Sequence, residues 1–222
     1  MKIPVRFHVI QKDETAAGGN LTDTEIRRQV AVLNAAFAQS AFQFVLAAPV
    51  TRTIDAAWFE MKPGSAEEYA ARTRLSAGVR TELDVFTVKA PSGIFGWAER
   101  PDDCGKYPFD GVVIHFGTVP SRRGGEGDTL VHEIGHWLGL YHTFEGDNCF
   151  GFGDGIPDTP AEEEPAPGGC DSQRDSCPQH SGFDPVHNFM NYTADFCMTE
   201  FTPRQMEAME SAWTVFREAS CP

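Results

Sequence analysis

The stretch Leu-Val-His-Glu-Ile-Gly-His-Trp-Leu-Gly-Leu-Tyr-His, residues 130–142, constrains this chain more than any other. If 130–138 is helical, His132 and His136 lie one turn apart on one face, where two imidazoles can grip a single metal ion. Glu133 follows the first of them and can lean over the open side of that ion. Gly139 can adopt the left-handed conformation that ends a helix, so the chain can double back and deliver His142 as a third ligand. Three protein nitrogens leave a fourth tetrahedral position for water, the layout of a catalytic zinc site rather than a structural one. A helix with two histidines four apart can simply be a polar face. A glycine and a third histidine at fixed offsets make that coincidence rare.

The rest of the composition narrows the setting. With 222 residues and 41% hydrophobic content the chain is expected to be a single domain, residues 1–222, with its own core. No apolar run approaches the ~20 residues that span a bilayer, so no membrane partner is expected. The net charge of −14 argues against nucleic acid. The start, Met-Lys-Ile-Pro-Val, runs straight into strand-like alternation and is not a signal peptide. Either the protein stays inside the cell, or this chain is a processed or recombinant piece. Six cysteines, five of them after residue 148, favour the second option, because the Gly-, Pro- and Asp-rich C-terminal third looks in need of disulfide staples. Six cysteines allow 15 pairings, and free thiols in a cytosolic enzyme are the alternative.

Along the chain, residues 3–10 alternate as a strand, with Ile3, Val5, Phe7 and Val9 on one side and Arg6 and His8 on the other. Thr22 and Glu25 form a capping box ahead of a helix whose stripe is Ile26, Val30, Leu33 and Phe37. Strands are expected over 42–50, 52–54, 83–88 and 110–116, with a helix opening at Ser65. Residues 93–100 read as a short strand carrying glycines, which often mark close approach of another backbone. Residues 121–127 read as a flexible loop exposing Arg122 and Arg123, and Asp128 as the cap of the zinc helix. Thr202, Pro203 and Gln205 open a last helix with Met206, Met209, Trp213 and Phe216 on one face.

Two stretches follow the zinc helix. Gly153-Asp-Gly-Ile-Pro-Asp-Thr-Pro160 is a tight acidic loop whose carboxylates, hydroxyl and carbonyls suit calcium, with a metal-free turn as the alternative. In His187-Asn-Phe-Met-Asn-Tyr-Thr193, Met190 alone reads as core and Tyr192 as a core phenol. Together with Phe95-Gly-Trp-Ala98, Asp110-Gly-Val-Val113, the signature running on to Phe144, and Cys197-Met-Thr-Glu-Phe-Thr-Pro203, these stretches resemble the pappalysin family of metzincin zinc metallopeptidases.

The resemblance implies an α+β, zincin-like fold. A twisted, mixed five-stranded sheet with helices forms an upper lobe (1–142). An irregular, disulfide-stapled lower lobe (143–222) carries the Met-turn and ends in a helix, and a cleft runs between the two. It implies zinc on His132, His136 and His142, Glu133 as general base, and Tyr192 stabilising the tetrahedral intermediate. Met190 would be a hydrophobic floor beneath the ligands. Gly96, Trp97 and Ala98 would be an edge that pairs with an extended peptide. Asp154, Asp158 and Thr159 resemble part of a structural calcium site. The cysteines resemble the family's crossed disulfides, Cys149–Cys177 and Cys170–Cys197, with Cys104–Cys221 left over. Asp195 resembles the acid at the base of the pocket for the residue after the scissile bond, implying Arg or Lys there; a solvated loop aspartate is the alternative. The expected activity is that of a secreted, monomeric zinc endopeptidase acting on peptide or protein substrates. A catalytically silent binding module and a zinc hydrolase of non-peptide amides are the rivals.

Overall fold

Strand β1 (Lys2–Gln11) is where the alternation of the first ten residues becomes the centre of a sheet. The computed structural model describes residues 1–47, 49–101, 108–122, 125–146, 149–166 and 168–218. β1 pairs in parallel with β4 (Leu83–Val88), and β4 with β6 (Val112–His115). Parallel strands of this kind are covered on both faces. Ile3, Val5, Phe7, Leu83, Val85, Val112 and Ile114 point into one core, while Ile10, Phe86, Val88 and Val113 point into a second.

Helix α1 (Asp23–Ala36) and helix α4 (Asp128–Trp137), which carries His132 and His136, cover the first face. The second face is covered by two helices, α2 (Ala56–Phe59) and α3 (Ala66–Leu75). The capping box at Thr22 is formed in full, and α1 buries Ile26, Val30 and Leu33 as its stripe requires. His8 is buried on the second face, with Nε2 2.6 Å from Asp84 and its ring stacked on Phe86.

Residues 42–50 do not form one strand. β2 (Gln43–Leu46) stops before Pro49, which has no N–H for a ladder, and β3 (Thr51–Ile54) begins after it. Both pair with the same edge of β1, at Lys2–Val5 and at His8–Gln11. The six strands therefore occupy five positions. At the far edge β5 (Gly96–Ala98), shorter than the stretch 93–100, runs antiparallel to β6.

After α4 the chain has little regular structure until a 3-10 turn at Asp195–Cys197 and helix α5 (Pro203–Trp213). Cys149 is bonded to Cys177 and Cys170 to Cys197. The pairing of Cys104 with Cys221 lies outside the described residues, as does Arg123. Helix α5 starts with the Thr202 capping box and continues as a π-helical turn, Thr214–Glu218. That turn swings Arg217 inward, where it pairs with Asp110 at 3.0–3.1 Å, donates to the Trp137 carbonyl and stacks on the Trp137 ring at 3.6 Å.

Two expectations about the approach to α4 need correction. Arg122 is not a free loop cation: its guanidinium is held by Glu25 and by the carbonyls of Ala16 and Asn20. Asp128 does not cap α4, because the N-cap is Gly127 at φ 102°, a left-handed conformation that glycine adopts without strain. The carboxylate at this end comes from Asp195, which accepts from the N–H groups of Glu126 (2.9 Å) and Gly127 (3.3 Å).

Candidate metal centre and cleft

Helix α4 brings His132 and His136 onto one face, as their spacing requires. It then ends in a tight reversal: Gly139 N–H donates to His136 O and Leu140 N–H to Gly135 O, with Gly139 at φ 102°. This is the Schellman arrangement of a helix C-terminus. It carries His142 back beside the two helical histidines. His136 Nε2 lies 3.1 Å from His132 Nε2 and 3.0 Å from His142 Nε2.

The donor set fits zinc. His132 Nδ1 lies 2.7 Å from Phe189 O, and His136 Nδ1 2.8 Å from Leu140 O. A carbonyl only accepts, so each Nδ1 carries the proton and each Nε2 presents a lone pair. Burial drives the His132 imidazole well below its usual range, and takes His136 down to about 4 and His142 to about 3. All three are neutral near pH 7, the form that binds metal. Nitrogens around one tetrahedral zinc sit ~3.3 Å apart, close to the spacing seen.

Glu133 is buried beside these rings, and burial pushes its carboxyl up to about 8. It stands against β5: a Cβ on Gly96 would lie 2.8 Å from both Cγ and Oε1 of Glu133. Gly96 therefore leaves room for the acid as well as forming the sheet edge. Beneath the helix, a Cβ on Gly135 would lie 2.3 Å from Met190 Sδ. Met190 is fully buried there, beneath the helix that carries two of the histidines. The Tyr192 ring packs on His132, His142 and Phe144, while half of the residue faces solvent.

A cleft of ≈ 1050 Å³ runs past this centre. Gly96, Trp97, His115, Glu126, His132, Glu133, Tyr192 and Asp195 all line it. Trp97 is anchored from behind, its indole N–H donating to Glu68 at 2.7 Å, and Glu68 is itself paired with the buried Arg72. Ala98 packs toward the main core. Asp154, Asp158 and Thr159 lie away from the cleft lining. Asp154 Oδ1 accepts from Ile156 N–H, and the Asp154 carboxyl also meets the side chains of Thr159 and Gln205. Both oxygens of Asp158 accept from the start of α5, at Thr202 and Arg204.

Sequence reasoning missed the support beneath the Met-turn. The Asn191 side-chain amide donates to both oxygens of Glu162, and its carbonyl accepts from Tyr192 N–H at 2.7 Å. Glu162 also accepts from Thr143 and pairs with Arg174, which pairs with Asp184. Nothing in the local sequence links 143, 162, 174, 184 and 191. Gly135 was open to notice as a small residue inside the signature, but the sulfur beneath it comes from 55 positions away.

A family model described as pregnancy-associated plasma protein-A, Peptidase M43, matches residues 108–214. An extracellular metalloprotease of Verticillium alfalfae is 41% identical over 226 residues, 98% of this chain and 77% of that protein. An extracellular metalloprotease of Colletotrichum graminicola is 39% identical over 222 residues, 97% and 77%. Mature mirolysin of Tannerella forsythia, solved with a cleaved peptide, superposes with a TM-score of 0.78 at 29% identity, covering 96% of this chain and 91% of that one.

Proposed function

Because the chain belongs to the Peptidase M43 (pappalysin) family and is a zinc metalloendopeptidase, we propose that it is secreted, that it cuts before Arg or Lys, and that the residues around the cleft divide the work as follows. His132, His136 and His142 hold the zinc through Nε2. Zinc held there supplies Lewis acidity, bringing the pKa of water toward neutrality and polarising the scissile carbonyl. Glu133, as a carboxylate, takes a proton from the attacking water and hands it to the leaving amine. The Glu133 carboxyl, its pKa raised by burial, would be held as a carboxylate by a cation on the three histidines. Gly96, Trp97 and Ala98 accept the substrate backbone as an added strand, since among the described residues no strand pairs with β5 on its outer side. The Tyr192 hydroxyl donates to the carbonyl oxygen as negative charge builds on it. Met190 supports α4 from below.

One observation carries this reading: three neutral imidazoles cluster together, and His132 among them lines, with the buried Glu133, a cleft whose rim is a sheet edge unpaired on its outer side among the described residues. Asp195 lines the same cleft at the start of α4, and one of its oxygens is fixed by two backbone N–H groups. A fixed carboxylate suits a bidentate pairing with a guanidinium, or a single contact with an ammonium. Asp154 and Thr159, whose side chains meet, supply oxygens to a calcium site, which Asp158 borders. Secretion is supported by the disulfides and by the extracellular metalloproteases among the relatives. Among the described residues no helix is long and apolar enough to cross a membrane. The enzyme is a single catalytic domain, 1–222, its two lobes (1–142 and 143–222) meeting at the cleft, and it works as a monomer. Cleavage-site profiling of a peptide library by mass spectrometry tests the specificity. Enrichment of Arg or Lys after the cut, lost in Asp195→Asn, supports it; indifference at that position removes Asp195 from the account.

A further inference from the structure

The two described disulfides are not equivalent. Cys149 and Cys177 are both buried. In the other pair Cys197 is buried but Cys170 is exposed. The His187 ring lies against the buried sulfur, with Nδ1 3.5 Å from Cys197 Sγ and 2.9 Å from Cys197 O. The carbonyl contact requires a proton on Nδ1, so Nε2 is an acceptor, and the hydroxyl of exposed Ser172 lies 2.9 Å from it. Val186 O stands 3.4 Å from the same Cys197 sulfur.

We propose that Cys170–Cys197 is a thiol-exchange site, which takes a small thiol onto Cys170 while His187 serves the departing Cys197. The external thiolate attacks the Cys170 sulfur at the exposed end. A sulfur–sulfur bond forms there as the Cys170–Cys197 bond breaks, and its electron pair goes to Cys197. As Cys197 takes the Nδ1 proton of His187, Nε2 takes one from water through Ser172, so the ring stays neutral, and the hydroxide left in solvent is neutralised by the proton the external thiol lost on ionising. The net reaction adds one thiol across the disulfide, giving a mixed disulfide on Cys170 and a free thiol on Cys197. Val186 O is already placed to accept from that thiol. A second thiol can then displace the first from Cys170, leaving both cysteines reduced and the two external sulfurs joined as a disulfide.

The bond ties together two parts of the cleft wall. Cys197 closes the turn that carries Asp195 and Phe196, both on the lining. Gly168, two residues before Cys170, also lines the cleft and its N–H reaches Tyr192 O at 3.4 Å. Exchange therefore loosens the wall that holds the substrate side chain after the scissile bond. This consequence rests on the cleft reading above; the exchange chemistry does not.

The zinc-loaded full chain is incubated with a concentration series of glutathione, trapped with a maleimide and mapped by peptide mass spectrometry. The expected result is glutathione on Cys170 and maleimide on Cys197 at concentrations at least tenfold below those that open Cys149–Cys177. His187→Asn should slow that adduct fivefold or more without changing Cys149–Cys177, and Ser172→Ala should slow it less. Opening of both pairs together, or of Cys149–Cys177 first, overturns the proposal. So does adduct formation on Cys197, or an unchanged rate in both variants. If His187→Asn does not fold, Ser172→Ala and the order of opening decide. Peptide cleavage is then measured on the purified adduct after zinc is restored. A KM raised severalfold supports the link to the cleft, and unchanged kinetics refute it. A protein that forms the adduct but cleaves nothing before treatment counts against the peptidase roles and leaves the exchange site standing.

Discussion

Gly135 and Gly96 show how single atoms set this site. Each is a place where a methyl group would occupy space already taken, by Met190 Sδ at 2.3 Å and by Glu133 at 2.8 Å. Gly135→Ala must displace a fully buried methionine beneath the metal helix, at a cost of about 1–3 kcal/mol. For a chain of this size that is a fall in melting temperature of roughly 2–4 °C per kcal/mol, to be read by calorimetry. Gly96→Ala presses on a side chain that reaches the cleft, so the larger effect should fall on turnover. We expect kcat to drop at least tenfold, with a smaller loss of stability because the same Cβ would lie 3.0 Å from the Val113 carbonyl of β6. A variant that loses stability but keeps kcat would mean that Glu133 is free to move aside.

Among the elements, α4 carries strain from charge in its first turn. Asp128, in its first turn, has its carboxyl pushed up to about 7 by burial and by the nearby Asp195 and Glu126 carboxylates. A folded pKa above the ordinary 3.8 means that the stability linked to this group is full at low pH and is lost as pH rises through about 7. Asp128→Asn should flatten the fall in urea midpoint between about pH 4 and 7. Glu25 in α1 works in the opposite sense. Arg122 and the Thr22 cap bring its carboxyl down to about 2 against its burial, so its contribution is present above 4.5 and is lost as pH falls through about 2. Glu25→Gln should remove that acid-limb dependence. Arg217 joins the end of the chain to the end of α4. Arg217→Ala leaves the Trp137 carbonyl without its donor and the Asp110 carboxylate with the Trp137 indole N–H as its remaining partner among the described residues, and should cost about 1–3 kcal/mol, seen as a lower urea midpoint. Elements with local codes were legible in advance: the Thr22 and Thr202 capping boxes and the strands at 2–11 and 83–88 follow from short-range pattern. The cap of α4 was not, because its carboxylate arrives from residue 195. The split of 42–50 turns on one proline, and the inward swing of Arg217 on a π-turn that has no periodic signature.

At the scale of the whole molecule, the clustering of the three candidate metal ligands was readable because one helix and one glycine-led reversal place all three within eleven residues. The same is true of the family motifs, each a contiguous string. What escaped was everything assembled across distance: the Asn191–Glu162–Arg174–Asp184 network under the Met-turn, the second apolar core that buries His8, and the sulfur that fixes Gly135. Zinc should bind these parts into one cooperative unit, since ligand binding to the folded state alone stabilises it by mass action. Chelation should lower the melting temperature and abolish cleavage, and added zinc should restore both. The sharpest test uses Glu133→Gln beside the wild type, with zinc content by elemental analysis and cleavage of one peptide measured on the same samples. The expected result is one zinc per chain in both proteins and a kcat lower by about 10²–10⁴ in the variant. Equal turnover in the two, or wild-type protein that binds no zinc, would contradict the account.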